Sequence, residues 1–163
     1  MGMDFLWQSI TIGIGGTAAM DLWAIFLATA FGMSLPNWGL VGRWFVHLAK
    51  GKFFHKDITA AHAIPNETAI GWFAHYAIGV VYAGALILIA GPTWISNPTF
   101  LPAWIVGLAT VGAGWFILQP GMGAGWAASL RPNPMQIRAL NIAAHTVFAT
   151  GLFATAYLMA LIR

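Results

Sequence analysis

The chain of 163 residues contains no cysteine and few charged residues. Without cysteine, disulfides, thiolate metal sites and thiol nucleophiles are all excluded. Charged side chains make up 7% of the sequence, whereas an ordinary soluble domain carries about 25%. Residues 68–130 contain no Asp, Glu, Lys or Arg, and His75 is their only readily ionisable side chain. So long a stretch without charge does not suit the surface of a soluble protein, and it predicts a membrane protein.

Four apolar segments are long enough for the roughly 20 residues that cross a hydrocarbon core about 30 Å thick. Each must be a helix, because an open segment in lipid has to satisfy its own backbone hydrogen bonds. The first segment lacks a basic n-region, so we expect it to be retained rather than cleaved as a signal peptide. The predicted fold is all-α: a polytopic membrane protein forming one domain, a four-transmembrane-helix bundle. The predicted helices are residues 5–32, 68–90, 99–119 and 139–162.

Basic residues are concentrated in two of the three connections between these helices. The linkers 33–67 and 120–138 are basic, whereas the connection 91–98 has no charge. Basic loops stay on the cytoplasmic side, so both linkers are expected there and both termini on the opposite side of a bacterial inner membrane. Tryptophan favours the headgroup level and gives the same topology. Trp7, Trp94 and Trp104 fall near the predicted outer boundary, and Trp38, Trp44, Trp72 and Trp126 near the inner one.

The linker 33–67 is too polar to span a membrane, but its first part has a helical pattern. Apolar residues recur at helical spacing, with Arg43 and Lys50 elsewhere around the helix. This pattern predicts an amphipathic helix on the inner membrane surface, with both cations near anionic lipid headgroups. The apolar residues are Trp38, Val41, Phe45 and Leu48.

Three ionisable side chains fall inside predicted membrane helices, where such groups are costly and usually functional. At about 1.5 Å per residue, His75 and His145 lie roughly 10 Å from the cytoplasmic helix ends and Asp21 roughly 16 Å. Gln119 and Asn141 lie closer to the same surface and could line an approach to this site.

The surroundings of the two histidines are similar in sequence. Residues 74–79, AHYAIG, match residues 144–149, AHTVFA, in position along helices that run in the same direction. A duplication of helices one and two as three and four would place His75 opposite His145 about a pseudo-twofold axis.

Three interpretations of Asp21, His75 and His145 remain open. The histidines could be ligands of b-type haem, or of a divalent metal with Asp21 as the third ligand. The same groups could form a proton relay or substrate site in a small carrier. Alternatively, Asp21 pairs with a histidine or with a serine or threonine hydroxyl and only stabilises the bundle.

A second group of histidines lies in the first linker. His47, His55 and His62 are spaced about two helical turns apart, with Asp57 and Glu67 nearby, and could bind zinc or another divalent metal. No serine lies in a recognisable nucleophile elbow, so hydrolytic catalysis has no support and no catalytic residue is identified.

Six pieces of the chain resemble an uncharacterised family of small bacterial integral membrane proteins, a domain of unknown function. The resemblance covers nearly the whole chain and implies a four-helix inner-membrane protein without supplying a reaction. It also implies that Asp21, His75, Gln119 and His145 belong to the family pattern. The pieces are MDLWA (20–24), LPNWGLVGRWFVHL (35–48), GWFAHYAIGVVYA (71–83), LPAWIVGLATV (101–111), QPGMGAGWAAS (119–129) and RPNPMQIRALNIAAHTVF (131–148).

These observations favour a membrane protein that binds a small ligand or cofactor between helices one, two and four. His75 and His145 would be the ligands, and Asp21 a third ligand or a hydrogen-bonding partner. The alternatives are a small proton-coupled carrier and a non-catalytic accessory subunit of a larger membrane complex. The expected partners are the lipid bilayer and a homo-oligomer or larger complex, with no nucleic acid. Whether the chain is an enzyme is left open by the sequence.

Overall fold

A computed structural model describes residues 2–162, which form helices and no strand. The all-α prediction is therefore confirmed. We number the α-helices α1 to α6 and note two 3₁₀ turns, Ile58–Ala60 and Trp126–Ala128. The helices are α1 Gly2–Phe31, α2 Trp38–Ala49, α3 Glu67–Ala90, α4 Thr93–Ser96, α5 Phe100–Gly121 and α6 Pro134–Leu161.

Helices α1, α3, α5 and α6 are long and apolar enough to cross a membrane. Their bounds lie within a few residues of the predicted segments. The largest difference is at α6, which begins at Pro134 rather than at residue 139. Proline is favoured at the first position of a helix because its fixed φ suits the helix and its missing N–H would have no intrahelical partner there. The second linker is correspondingly shorter than predicted.

The helix predicted in the first linker is present as α2. The Asn37 side chain accepts a hydrogen bond from the Leu40 N–H at 3.3 Å and caps the helix N-terminus. At the other end the backbone turns at Gly51, which has φ +81°. Glycine adopts this left-handed conformation without steric cost, so the chain reverses direction immediately after α2.

The described residues divide into two compact units. Unit 1 comprises residues 2–35, 76–110 and 143–162, and unit 2 comprises residues 36–75 and 111–142. Unit 1 therefore contains α1, α4 and parts of α3, α5 and α6, whereas unit 2 contains α2, most of both linkers and the remaining parts of the long helices.

The core of unit 1 is apolar, and its helices approach closely at small residues. A Cβ added to Gly13 would lie against the backbone of Val80, and one added to Gly151 would contact Ala19 and the backbone of Gly16. Small residues allow helix backbones to approach this closely. The core residues are Ile12, Ala83, Leu86, Ile87, Trp94, Ile95, Ala103, Val106, Phe148, Leu152 and Ala156.

Two tryptophans predicted at the membrane boundaries are buried inside their units. Trp94 is 5% exposed in unit 1, and its indole N–H donates to the Thr99 carbonyl at 3.1 Å. Trp44 is 2% exposed in unit 2 and donates to the Phe53 carbonyl at 2.9 Å. These rings pack within the protein and stabilise turns, so they do not serve as headgroup anchors.

Arg43 of α2 is also buried, and the prediction that it faces lipid headgroups is wrong. Its side chain makes two parallel hydrogen bonds to the Glu67 carboxylate, at 2.9 and 2.8 Å. Its remaining nitrogen donates to the carbonyls of Ile58, Thr59 and Ala61. A guanidinium offers five donors in a planar fork, and here they join α2, the 3₁₀ turn and the start of α3.

The two basic linkers contact each other within unit 2. The His55 N–H donates to the Gly121 carbonyl at 2.9 Å, and the Ile58 N–H donates to the Met122 carbonyl at 3.1 Å. The backbone at Gly123 lies against Lys56 so closely that a Cβ there would collide with the Lys56 carbonyl. The linker that follows α2 is thus fixed to the C-terminal end of α5.

Candidate functional site

His145 is held by the last turn of α5 that belongs to unit 1. Its Nδ1 lies 2.9 Å from the Thr110 hydroxyl oxygen and 3.1 Å from the Gly107 carbonyl oxygen. The Thr110 hydroxyl donates its only proton to the same carbonyl at 2.6 Å. A carbonyl can only accept, so the contact between His145 and Gly107 requires a proton on Nδ1. In the neutral ring, Nε2 therefore carries the lone pair.

Such an arrangement is the usual one for a histidine that acts through Nε2. Metal-ligating histidines almost always donate their other ring N–H to a carbonyl, carboxylate or water, which fixes the tautomer and the ring orientation. The close packing of α5 on α6 makes it possible here, because a Cβ added to Gly107 would meet Ala149 at 2.7 Å. Any larger residue at position 107 would separate His145 from its carbonyl partner.

Asp21 of α1 accepts a hydrogen bond from the Tyr76 hydroxyl at 2.8 Å. Both residues belong to unit 1 and both are partly buried. The sequence offered a histidine or a serine or threonine hydroxyl as the partner of Asp21, whereas the hydroxyl in this contact is the phenol of Tyr76.

His75 belongs to unit 2, where its ring stacks on the indole of Trp38. The ring centroids are 3.8 Å apart with an interplanar angle of 24°. The ring centroid of Trp72 lies 6.0 Å from that of His75, in an edge-on arrangement, and 5.5 Å from that of Trp38. The contacts described for the two histidines therefore differ: His75 packs between aromatic rings, and His145 hydrogen-bonds to α5. The pseudo-twofold relation between them stays a prediction.

Gln119 and Asn141, which the sequence places near the same membrane surface, contact each other, and Trp115 joins them. The Asn141 side-chain oxygen accepts one hydrogen bond from the Trp115 indole N–H and one from the Gln119 amide, each at 3.0 Å. Trp115 lies in a π-helical turn, Gly114–Leu118, immediately before Gln119. Such turns interrupt α-helices frequently at functional sites, and this one brings both side chains towards α6.

This network leaves one acceptor unused. Because indole can only donate, the Asn141 atom that faces Trp115 must be the oxygen, and the Gln119 atom that faces the same oxygen must be the nitrogen. The Gln119 Oε1 is therefore fixed as an acceptor, and it is buried without a hydrogen-bond partner. A buried acceptor without a partner costs about 1–3 kcal/mol. Unit 2 thus retains a polar atom able to bind a donor group.

The linker histidines form a pair rather than a metal site. The His47 Nδ1 lies 2.9 Å from the His55 Nε2, and the His55 Nδ1 lies 3.0 Å from the Gly121 carbonyl oxygen. Both nitrogens of His55 are engaged, so its lone pair is not available to a metal. His62 is exposed, and among the described residues no group of three or more His, Cys, Asp or Glu side chains could hold a metal ion. These contacts give the predicted linker metal set no support.

The two carboxylates near these histidines have other partners. Glu67 pairs with Arg43, and its Oε2 also accepts from the Ile64 N–H at 3.0 Å. Asp57 accepts two hydrogen bonds from Thr59, each at 2.8 Å, and caps the 3₁₀ turn. These bonds, with a smaller contribution from the charge of Arg131, lower the pKa of Asp57. Both carboxylates therefore stabilise the linker.

Several participants in these contacts could not be identified from the sequence. Thr110, Gly107 and Trp115 lie in an apolar stretch with no motif. Tyr76 directly follows His75, but nothing in its spacing pairs it with Asp21. Each partner depends on the rotation of one helix about its axis, which hydropathy does not determine.

Comparisons with known proteins identify a family but no activity. A family described as "Protein of unknown function (DUF2938)" matches residues 10–159. No curated protein and no solved structure matches the chain. The predicted resemblance to a domain of unknown function over nearly the whole chain is confirmed.

Proposed function

Because the chain belongs to the DUF2938 family, whose description assigns no activity, we propose a function from the geometry of its polar side chains. The protein is an integral protein of the bacterial inner membrane that binds a small ligand or cofactor within the membrane. His145 is the residue that binds it, through Nε2.

The observation that carries this proposal is the pair of contacts at the Nδ1 of His145. Here Thr110 and Gly107 together hold Nδ1. The opposite nitrogen can bind the iron of a b-type haem, a divalent metal or a donor group of an organic ligand. Each of these would be bound by an oriented lone pair on a rigid helix.

The contact between the linkers supports the membrane topology. In a chain that crosses a bilayer four times, the first and third connections emerge on the same side. These are the two linkers that hydrogen-bond to each other in unit 2. Both carry lysine or arginine, so the positive-inside rule assigns them to the cytoplasm.

A small proton-coupled carrier is the second candidate, favoured by the hydrogen bond between Asp21 and Tyr76. A carboxylate in a membrane helix is costly unless it is paired, and such groups mark proton and ion pathways. Transport into proteoliposomes that Asp21→Asn abolishes would favour this candidate.

The proposal is tested by an ultraviolet–visible spectrum, oxidised and dithionite-reduced, of protein purified in mild detergent, with metal analysis of the same sample. We expect a Soret band that shifts on reduction, or near-stoichiometric metal, and loss of either in His145→Ala. Thr110→Val should weaken binding, because it removes one partner of Nδ1, whereas the exposed His62→Ala is the matched control. A colourless, metal-free wild-type preparation would exclude the cofactor form of the proposal.

A further inference from the structure

The segment that follows α2 is neither helix nor strand, and exposed residues alternate in it with less exposed ones. Phe53 is partly buried and His55 is 8% exposed, whereas Lys52, Phe54 and Lys56 are exposed. We call the three exposed residues of this segment, Lys52, Phe54 and Lys56, the KFK face.

The KFK face is fixed by the contacts of the residues between its members. The Phe53 carbonyl accepts from the Trp44 indole, and the Phe53 and Trp44 rings pack edge to face at 5.6 Å. His55 bonds to the Gly121 carbonyl through both its backbone N–H and its Nδ1. Phe54 is 67% exposed although its neighbours are held on both sides. Its exposure is thus a property of a well-anchored segment.

The same contacts place the KFK face at the end of a membrane helix. Gly121 is the last residue of α5, one of the helices long enough to span a bilayer. A phenylalanine at this level can enter the boundary of the acyl chains while the flanking lysines extend to the phosphates.

The charges around this face are predominantly positive. Lys50 is exposed at the end of α2, and Arg131 is exposed in the second linker. Of the nearby carboxylates, Glu67 is paired with Arg43, and Asp57 is bonded to Thr59. Asp57 keeps its negative charge, but the basic side chains of Lys50, Lys52, Lys56 and Arg131 outnumber this one carboxylate.

From this geometry we infer that the KFK face binds the headgroup of an anionic phospholipid. The two ammonium groups contact the phosphate, and Phe54 inserts beside the acyl chains. The inference rests on the membrane location given above but not on any cofactor or on His145. If the spectrum and metal analysis showed no cofactor, the inference about the KFK face would still stand.

Native mass spectrometry of the full chain in mild detergent tests this inference, with phosphatidylglycerol and phosphatidylcholine of the same acyl chains as probes. We expect tighter binding of phosphatidylglycerol. Each lysine near an anionic headgroup contributes about 1 kcal/mol, or about fivefold in affinity, so K52Q/K56Q should weaken this binding about 25-fold. Phe54→Ser should weaken the binding of both lipids, because it removes the apolar contact with the acyl chains.

Lys50→Gln is the matched control, because it removes an exposed charge from the same linker but not from the KFK face. This variant should retain most of the selectivity for phosphatidylglycerol over phosphatidylcholine. Equal losses of phosphatidylglycerol affinity in K50Q and K52Q/K56Q would overturn the inference. Equal affinities of the wild type for the two lipids would also overturn it. Competition by soluble glycerol phosphate at the same concentration would show that the face binds phosphate without lipid, and would also overturn it.

Discussion

At the scale of single residues, Arg43 shows how a charge that looks peripheral can organise a linker. The guanidinium is 8% exposed and satisfies one carboxylate and three carbonyls. The Glu67 carboxylate raises the pKa of Arg43, mainly through their hydrogen bonds. Sequence periodicity placed Arg43 on the polar side of α2 but could not reveal that the chain folds back to cover it.

Arg43→Met should destabilise the protein by about 3 kcal/mol, because it leaves a largely buried carboxylate and three carbonyls without their donor. Arg43→Lys should recover only part of this loss, since an ammonium cannot form the bidentate contact. Thermal unfolding in detergent measures the stability of both variants. Lys50→Met, at an exposed position of the same linker, is the control. Equal stability of R43M and K50M would contradict the role given to Arg43.

The histidine pair makes the linker sensitive to acid. Desolvation, and then the positive charges of His55, Lys52, Lys50 and Arg43, lower the pKa of His47. The folded protein therefore binds this proton less readily than the unfolded chain, whose histidine pKa is about 6.5. The stability that comes from keeping His47 neutral is fully present above pH about 6.5. It is lost as the pH falls towards the lowered pKa of His47.

We expect His47→Asn to reduce the loss of stability between about pH 7.5 and 5.5, because asparagine keeps a donor near the position of Nδ1 but does not titrate. His62→Asn, at an exposed histidine, should behave as the wild type. Melting temperatures across this range provide the measurement. If the melting temperature of H47N depended on pH as that of the wild type does, the histidine pair would not contribute to the loss of stability in acid.

At the scale of elements, glycine determines how closely α2 approaches α3. A Cβ added to Gly42 would collide with the Glu67 carbonyl, and one added to Gly71 would collide with the Trp38 carbonyl. The neighbouring atoms are backbone and cannot rotate away. This reciprocal contact also brings Arg43 alongside Glu67, so the ion pair depends on it.

Gly42→Ala should destabilise unit 2 by about 1–3 kcal/mol, since the two helices would have to separate. Gly114→Ala is the control, because a Cβ there would meet no atom within 4 Å. Alanine is the better helix former, so the control should be neutral or slightly stabilising. Thermal unfolding of the two variants distinguishes them, and a tolerated Gly42→Ala would refute the close contact.

At the scale of the whole molecule, the sequence was sufficient for the number, length and approximate bounds of the long helices. Hydrophobicity and helix length determine these features directly. It placed Gln119 and Asn141 near the same end of their helices but did not predict their contact. The partners of His145 and Asp21 were not predictable, since a rotation of one helix by half a turn changes its contacts without changing its hydropathy. The π-helical turn at Gly114–Leu118 likewise has no signal in the sequence.

The absence of cysteine allows the membrane topology to be tested without background labelling. Single cysteines can be introduced at exposed positions as Lys56→Cys, Ser129→Cys and Ser96→Cys. Lys56 and Ser129 lie in the two basic linkers, and Ser96 lies in the uncharged connection between α3 and α5.

Labelling of these variants in intact cells by a membrane-impermeant maleimide tests the central claim most directly. The account predicts that Ser96→Cys reacts from outside, whereas Lys56→Cys and Ser129→Cys react only after the membrane is permeabilised. Reaction of the two linker cysteines from opposite sides of the membrane would contradict the four-span topology on which the proposed ligand site depends.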